Sequence, residues 1–249
     1  MELAWVLARR GHGVTLVARR EDRLRALAEE LTAATGVRAE VIAADLTEMD
    51  ERAALAAAVE ERGLTVDVLV NNAGFSTLGP IHRSDPAREV AMIRTDVEAV
   101  AHLCSMFVPG MVERGYGAVL NVASMAAFQP LPGQTGYGAC KAFVLSYSRA
   151  LAQEVRAKGV TVTALCPGPV ATEFAEAAGF DEAESANALP QFMWVTAAEV
   201  AKQAVVGLDK GRDVVIPGTP NRIAAAAARF VPSRLLLPAL ASRHPSLKP

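Results

Sequence analysis

The sequence predicts an α/β protein, a single domain built on a doubly wound parallel sheet. Two observations carry that prediction. Short β-branched runs alternate with longer stretches of 3.6-residue apolar periodicity, the rhythm of repeated strand–helix units. Runs such as VDVLV (66–70) and GAVLNV (117–122) are apolar nearly throughout instead of alternating, as strands covered by helices on both faces require. No linker rich in Gly, Ser or Pro divides the 249 residues, and at 51% apolar they can fill one continuous core.

The chain opens on a helical stretch, a glycine turn at 11–13, a strand at 14–18 and a charged helix start at 20–23. Further strands are predicted at 37–43, 66–70, 118–122, 160–165 and 214–216, separated by segments rich in Ala, Leu, Glu and Arg. Helices predicted at 96–113 and 137–156 carry apolar residues around much of their circumference. Such helices bury a second face, which points to a homodimer or homotetramer packed through them. A loop–helix insert at 171–195 and a C-terminal helical tail at 219–249 supply Phe174, Phe180, Phe192, Met193, Trp194 and several leucines. They read equally as an apolar pocket or lid and as ordinary core.

Composition excludes several roles. Net charge is −2, and the basic residues are scattered among acids, so nucleic acid is not an expected partner. Cys104, Cys140 and Cys166 are far apart and odd in number, which argues against a disulfide framework or a metal site and for a reducing, cytoplasmic setting. The apolar run 3–8 is too short and wrongly flanked for a signal peptide. The stretch 223–240 is interrupted by Arg229, Pro232, Arg234 and Pro238, so no membrane span is expected, while peripheral contact through a helical flap stays open.

Ligands of such sheets sit beyond the carboxyl ends of the strands. Those positions hold Arg19 and Arg20, Asp45 and Leu46, NNAG (71–74), Ser124 and PGPVAT (167–172). Thirteen residues after Ser124, YGACK places Tyr137 and Lys141 one helical turn apart, on one face. An ammonium beside a phenol favours the phenolate, so Lys141 is expected to pull the Tyr137 pKa down from about 10 toward working pH. Ser124 can hydrogen-bond a carbonyl or alcohol oxygen. The set suits proton transfer at oxygen while hydride moves at carbon. Taken alone, Tyr-x-x-x-Lys also fits a helix-start tyrosine with a surface lysine.

NNAG, Ser124, YGACK and PGPVAT in this order and spacing resemble the short-chain dehydrogenase/reductase family, over essentially the whole chain. The resemblance implies a Rossmann-like sheet and an oxidoreductase interconverting a carbonyl and an alcohol. Tyr137 would give or take the proton, Lys141 would lower its pKa and hold the nicotinamide ribose, and Ser124 would orient the reacting oxygen. Asp45 and Leu46 would flank the adenine, Asn72, Ala73 and Gly74 would line the cofactor floor, and Pro167, Gly168, Val170 and Thr172 would face the nicotinamide carboxamide. Gly74, Pro167 and Gly168 are also plain turn formers, Asp45 also suits a helix cap, and Thr172 also suits a loop. An acid after the 14–18 strand would select NAD; Arg19 there favours NADP. Similar C-terminal tails occur in ketoacyl and steroid reductases, which implies a lipophilic ketone or alcohol as substrate.

Two departures stand out. Asp96 occupies a position where the family usually has asparagine. It would kink the helix and hold a relay water, or pin Lys141 charged and alter the proton path, or serve only through its backbone. The family's first, central strand and its glycine-rich turn are not found, because Met1 aligns inside the helix that follows them. A late-assigned start or a truncated gene is the expectation. The rival readings are a catalytically silent relic that binds a ligand or partner, and a methyltransferase on a similar sheet, which Ser124, Tyr137 and Lys141 argue against.

Overall fold

The computed structural model describes residues 1–171, 190–228, 230–231, 233–243 and 245–247. The strands are β1 (Val14–Ala18), β2 (Ala39–Ala43), β3 (Val68–Asn71), β4 (Gly117–Val122), β5 (Val160–Leu165) and β6 (Val214–Val215). The main helices are α1 (Glu2–Ala8), α2 (Glu21–Thr35), α3 (Met49–Glu61), α4 (Pro86–Ile93), α5 (Ala99–Arg114), α6 (Thr135–Val155), α7 (Ala197–Asp209), α8 (Thr219–Ala228) and α9 (Ser233–Arg243). Every pairing among the described residues is parallel, as the unbroken apolar runs require. Three predicted strands are longer than the observed ones. Val37, Val66 and Ile216 pack into the core without joining a ladder, so their apolarity marks burial rather than pairing.

The sheet comes in two groups, β1–β2 and β3–β4–β5–β6. Among the described residues no ladder joins β1 to β3, and the interruption falls where the resemblance places a central strand. Helices on both faces hold the groups together. On one face Ala8 of α1 packs with Leu16, Ala28 and Leu31 on the β1 side, while Leu3 of the same helix joins Leu120, Leu165, Ala204 and Leu208 on the other. Arg10 also pairs with Asp209 of α7 at 2.8 Å. On the opposite face Ile42 of β2, Leu55 and Val59 of α3, and Leu103 of α5 form one cluster that includes Leu69 of β3. Arg52 of α3, fully buried, donates to the Leu46 carbonyl, to His102 and to Glu98, and so ties α3 to the start of α5.

Beneath the sheet, two left-handed glycines close the turns into β4 and β5. Gly159 has φ +77°, and a Cβ there would lie 2.0 Å from the Gly115 carbonyl oxygen, a contact no side chain tolerates. At the opposite rim the register aligns Asn71 with Asn121 and Val122 with Leu165, so the segments after β3, β4 and β5 emerge side by side. No described helix is long and apolar enough to cross a membrane.

Candidate active site

The helix predicted from Asp96 begins earlier and is not regular there. α4 runs straight into a π-helical turn, Arg94–Glu98, which continues into α5. A wider turn of this kind re-aims one side chain, and such turns recur at functional sites. Here it carries Asp96 fully inside the protein. The Asp96 Oδ1 accepts the Phe75 backbone N–H at 3.0 Å, and Oδ2 lies 2.9 Å from the Lys141 Nζ. Gly74 makes room for this carboxylate, because a Cβ at 74 would stand 2.8 Å from Oδ1.

Ser124 follows β4 in extended backbone and caps a short 3-10 turn, its Oγ accepting from the Ala126 N–H at 3.1 Å. Tyr137, buried in the first turn of α6, hydrogen-bonds Ser124. One turn on, Lys141 is also buried, donates to the Val122 carbonyl at 3.0 Å and holds its Nζ 5.6 Å from the centre of the Tyr137 ring. The three residues expected to act together are therefore brought together, with Asp96 as a fourth.

The sign of the Tyr137 shift corrects the sequence-based expectation. Burial disfavours the phenolate and outweighs the help of Lys141 and Ser124, while the Asp96 carboxylate pushes the same way as burial; the phenol stands above its ordinary pKa. Burial also opposes the Lys141 ammonium, but Asp96 and Tyr137 overcome it and hold that group above the usual lysine value. The two groups meet as a buried ion pair at 2.9 Å, while burial lifts the Asp96 carboxyl above the usual aspartate range.

The predicted cofactor residues divide. Arg19 is exposed at the end of β1, its guanidinium 3.9 Å from Asp45. The Asp45 carboxylate accepts from both the backbone and the hydroxyl of Thr47, at 2.9 and 2.8 Å, so it closes its own turn instead of capping α3. Burial works against its ionisation, yet the Thr47 bonds and Arg19 hold it below the ordinary aspartate pKa. Leu46 packs beside Leu55 and Val170 against the cluster under α7, and both stay partly exposed. Asn72 and Ala73 are exposed there. Pro167 accepts the Met125 N–H at 2.9 Å, which joins the PGPVAT turn to the Ser124 segment. Thr172, Phe174 and Phe180 lie outside the described residues.

Asn221 was not legible in the sequence, where TPN reads as a turn and helix start. It is fully buried and donates to the carbonyls of Met193 and Pro217 at 2.9 and 3.0 Å. Its amide presses on Gly168, where a Cβ would sit 2.5 Å from Nδ2. The same side chain therefore binds the PGPVAT turn, the segment after the insert and the start of α8. Asn221→Ala is expected to cost about 1–3 kcal/mol through two orphaned carbonyls. Urea unfolding checks the loss, and faster hydrogen exchange at the Val195 N–H, which donates to Pro169 at 3.2 Å, checks its location.

Residues 1–183 match the short chain dehydrogenase family profile. The chain is similar to a very-long-chain 3-oxoacyl-CoA reductase of Anas platyrhynchos, 37% identical over 179 residues that cover 68% of this chain and 55% of that protein. It is similar to the 17-beta-hydroxysteroid dehydrogenase type 3 of Rattus norvegicus, 35% identical over 67% of this chain and 54% of that one. The chain thus spans about half the length of these curated relatives. Among solved structures, a short-chain dehydrogenase from Sphingobium yanoikuyae in complex with NADPH superposes with a TM-score of 0.81 at 33% identity, covering 96% of this chain and 90% of that one. With the parallel sheet, the assembled Ser124, Tyr137 and Lys141 and these matches together, the chain belongs to the short-chain dehydrogenase family.

Proposed function

We propose that this protein is an NADP-dependent oxidoreductase that interconverts a carbonyl and an alcohol on a lipophilic substrate of the ketoacyl or steroid kind. The observation that carries the reading is the hydrogen-bonded Tyr137 and Ser124 with the Lys141 ammonium behind the ring. The residues fit the cofactor at two points. Among the described residues the Lys141 ammonium donates to the Val122 carbonyl and ion-pairs with Asp96, which leaves an N–H for a ribose hydroxyl. The exposed Arg19 guanidinium supports NADP, because an adenosine phosphate can pair with it. When bound, the dinucleotide supplies or accepts hydride at carbon.

The protein's own residues handle the oxygen. Ser124 donates a hydrogen bond to the substrate carbonyl, Tyr137 transfers its proton to that oxygen, and Lys141 stabilises the phenolate left behind. The relatives' names, a 3-oxoacyl-CoA reductase and a hydroxysteroid dehydrogenase, support the substrate class. A silent relic finds no support in a site so fully assembled. The outward side of α6 carries Phe143 stacked on Tyr147 at 5.5 Å with Phe143 exposed, which supports assembly through α5 and α6. Three buried, free cysteines suit a reducing cytoplasm.

The test is NADPH consumption with a panel of 3-oxoacyl thioesters, 17-ketosteroids and short hydrophilic ketones. Turnover confined to the short hydrophilic ketones overturns the substrate class, and no NADPH binding by fluorescence overturns the cofactor. Arg19→Asp is expected to weaken NADPH about 10- to 100-fold, the worth of a charged hydrogen bond to phosphate, and to leave NADH unharmed. Fluorescence titration with both dinucleotides reads the two effects.

A further inference from the structure

A carboxylate sits where a lone ammonium would be expected to act on the phenol. Asp96 is delivered by the π-helical turn, admitted by the bare Cα of Gly74, anchored by the Phe75 N–H and set 2.9 Å from the Lys141 Nζ. Both charges are buried, so neither is blunted by water. We infer that Asp96 is a positioning residue that offsets the Lys141 charge at Tyr137 and keeps that side chain a phenol, the form that gives up its proton in carbonyl reduction.

The physical argument is the field of a pair against that of a single charge. An unpaired ammonium 5.6 Å from the ring would stabilise the phenolate strongly in a dry site. A carboxylate in contact with that ammonium turns the charge into a dipole, whose influence on the ring is smaller. Among the described residues other groups do not restore the imbalance. α6 offers Cys140, the β4 end offers the Ser124 hydroxyl, the β5 end offers the buried Cys166, and α4 offers Glu89 beside Gly136, none of them cationic. The direction of the Tyr137 shift agrees, with Asp96 among the groups that raise it.

The chemistry balances for reduction. The carbonyl carbon gains a hydride from the reduced dinucleotide, which is oxidised in the exchange, while the C=O oxygen gains the phenolic proton and becomes a hydroxyl. The phenolate recovers its proton from solvent. Alcohol oxidation runs through the same groups in reverse, with the phenolate taking the hydroxyl proton, so its rate is expected to follow the Tyr137 titration.

The inference rests on the proposed carbonyl–alcohol reading, but its test needs neither substrate nor cofactor. The phenolate band is titrated in the ultraviolet for the full chain, and the Tyr137→Phe spectrum is subtracted to remove Tyr116 and Tyr147. The unsubstituted protein is expected to show no Tyr137 phenolate below about pH 10. Asp96→Asn and Asp96→Ser are each expected to bring the midpoint down by about 1 to 2 pH units. Circular dichroism at each pH confirms that the fold persists. A phenolate appearing near neutral pH in the unsubstituted protein overturns the inference, whether or not the variants fold. So does an unmoved midpoint in a natively folded Asp96 variant. A merely structural Asp96 would change the melting temperature and leave the phenolate midpoint where it was.

Discussion

Lys141→Met is expected to cost about 3–5 kcal/mol at neutral pH, the typical loss when one partner of a buried ion pair is removed. Asp96 has no exposure, and its remaining partner, the Phe75 N–H, cannot neutralise a full charge. The variant's stability is expected to recover as pH falls. Burial already lifts the folded Asp96 carboxyl above 3.8, and without the ammonium it rises further. Between 3.8 and that raised value the folded state binds more protons than the unfolded one, so stability declines with rising pH and returns on acidification. In the unsubstituted protein the Lys141 contribution has the same sign at the other end of the scale. It is complete below 10.5 and is lost as pH climbs through the raised folded pKa. Urea denaturation of both proteins at acid and neutral pH reads the difference. A loss of equal size at both would show that Asp96 is not left ionised and unpaired.

The same pair marks the limit of what the sequence discloses. Spacing of four residues was enough to put Tyr137 and Lys141 on one face of α6, and the strand-end position was enough to put Ser124 beside them. Both follow from helix and strand periodicity, which are local. The pKa of Tyr137 is not local. It depends on burial in a packed core and on a carboxylate brought in from the turn between α4 and α5, so a neighbour-only argument assigned it the wrong sign. Asn221 escaped for a similar reason, since its partners Met193, Pro217 and Gly168 come from three separate segments. Asp45 illustrates a subtler case. Its place after β2 was read correctly, but Thr47, two residues on, captures the carboxylate in a turn of its own.

The strands of both groups were legible as apolar runs. What could not be read was how the two strand groups stay together. Side chains on both faces do that work: α1 touches the core under β1 and the core under β4 and β5, and α3 and α5 share a cluster that reaches from β2 to β3. Apolar burial at about 25 cal/mol per Å² is indifferent to strand pairing, so helices can join what hydrogen bonds do not.

Tyr137→Phe is expected to lower turnover by about 100- to 10,000-fold, the range attached to a positioned general acid. The substitution removes one oxygen from a ring that is 8% exposed, so the packing of α6 against the sheet is retained. Its cost in stability is that of the lost bond to Ser124, about 1 kcal/mol. The Lys141 ammonium keeps its anchors at Asp96 and Val122, so NADPH affinity is expected to hold within about threefold, well under the 1.4 kcal/mol that a tenfold change represents. Loss of kcat without loss of dinucleotide binding separates a proton donor from a structural tyrosine. Ser124→Ala is the informative companion, because it leaves the acid in place and removes the hydroxyl that orients the oxygen, together with its cap on the Ala126 N–H. If Tyr137→Phe retained more than about a tenth of the turnover, less than 1.4 kcal/mol of transition-state stabilisation would pass through the phenol, and another group would have to supply the proton.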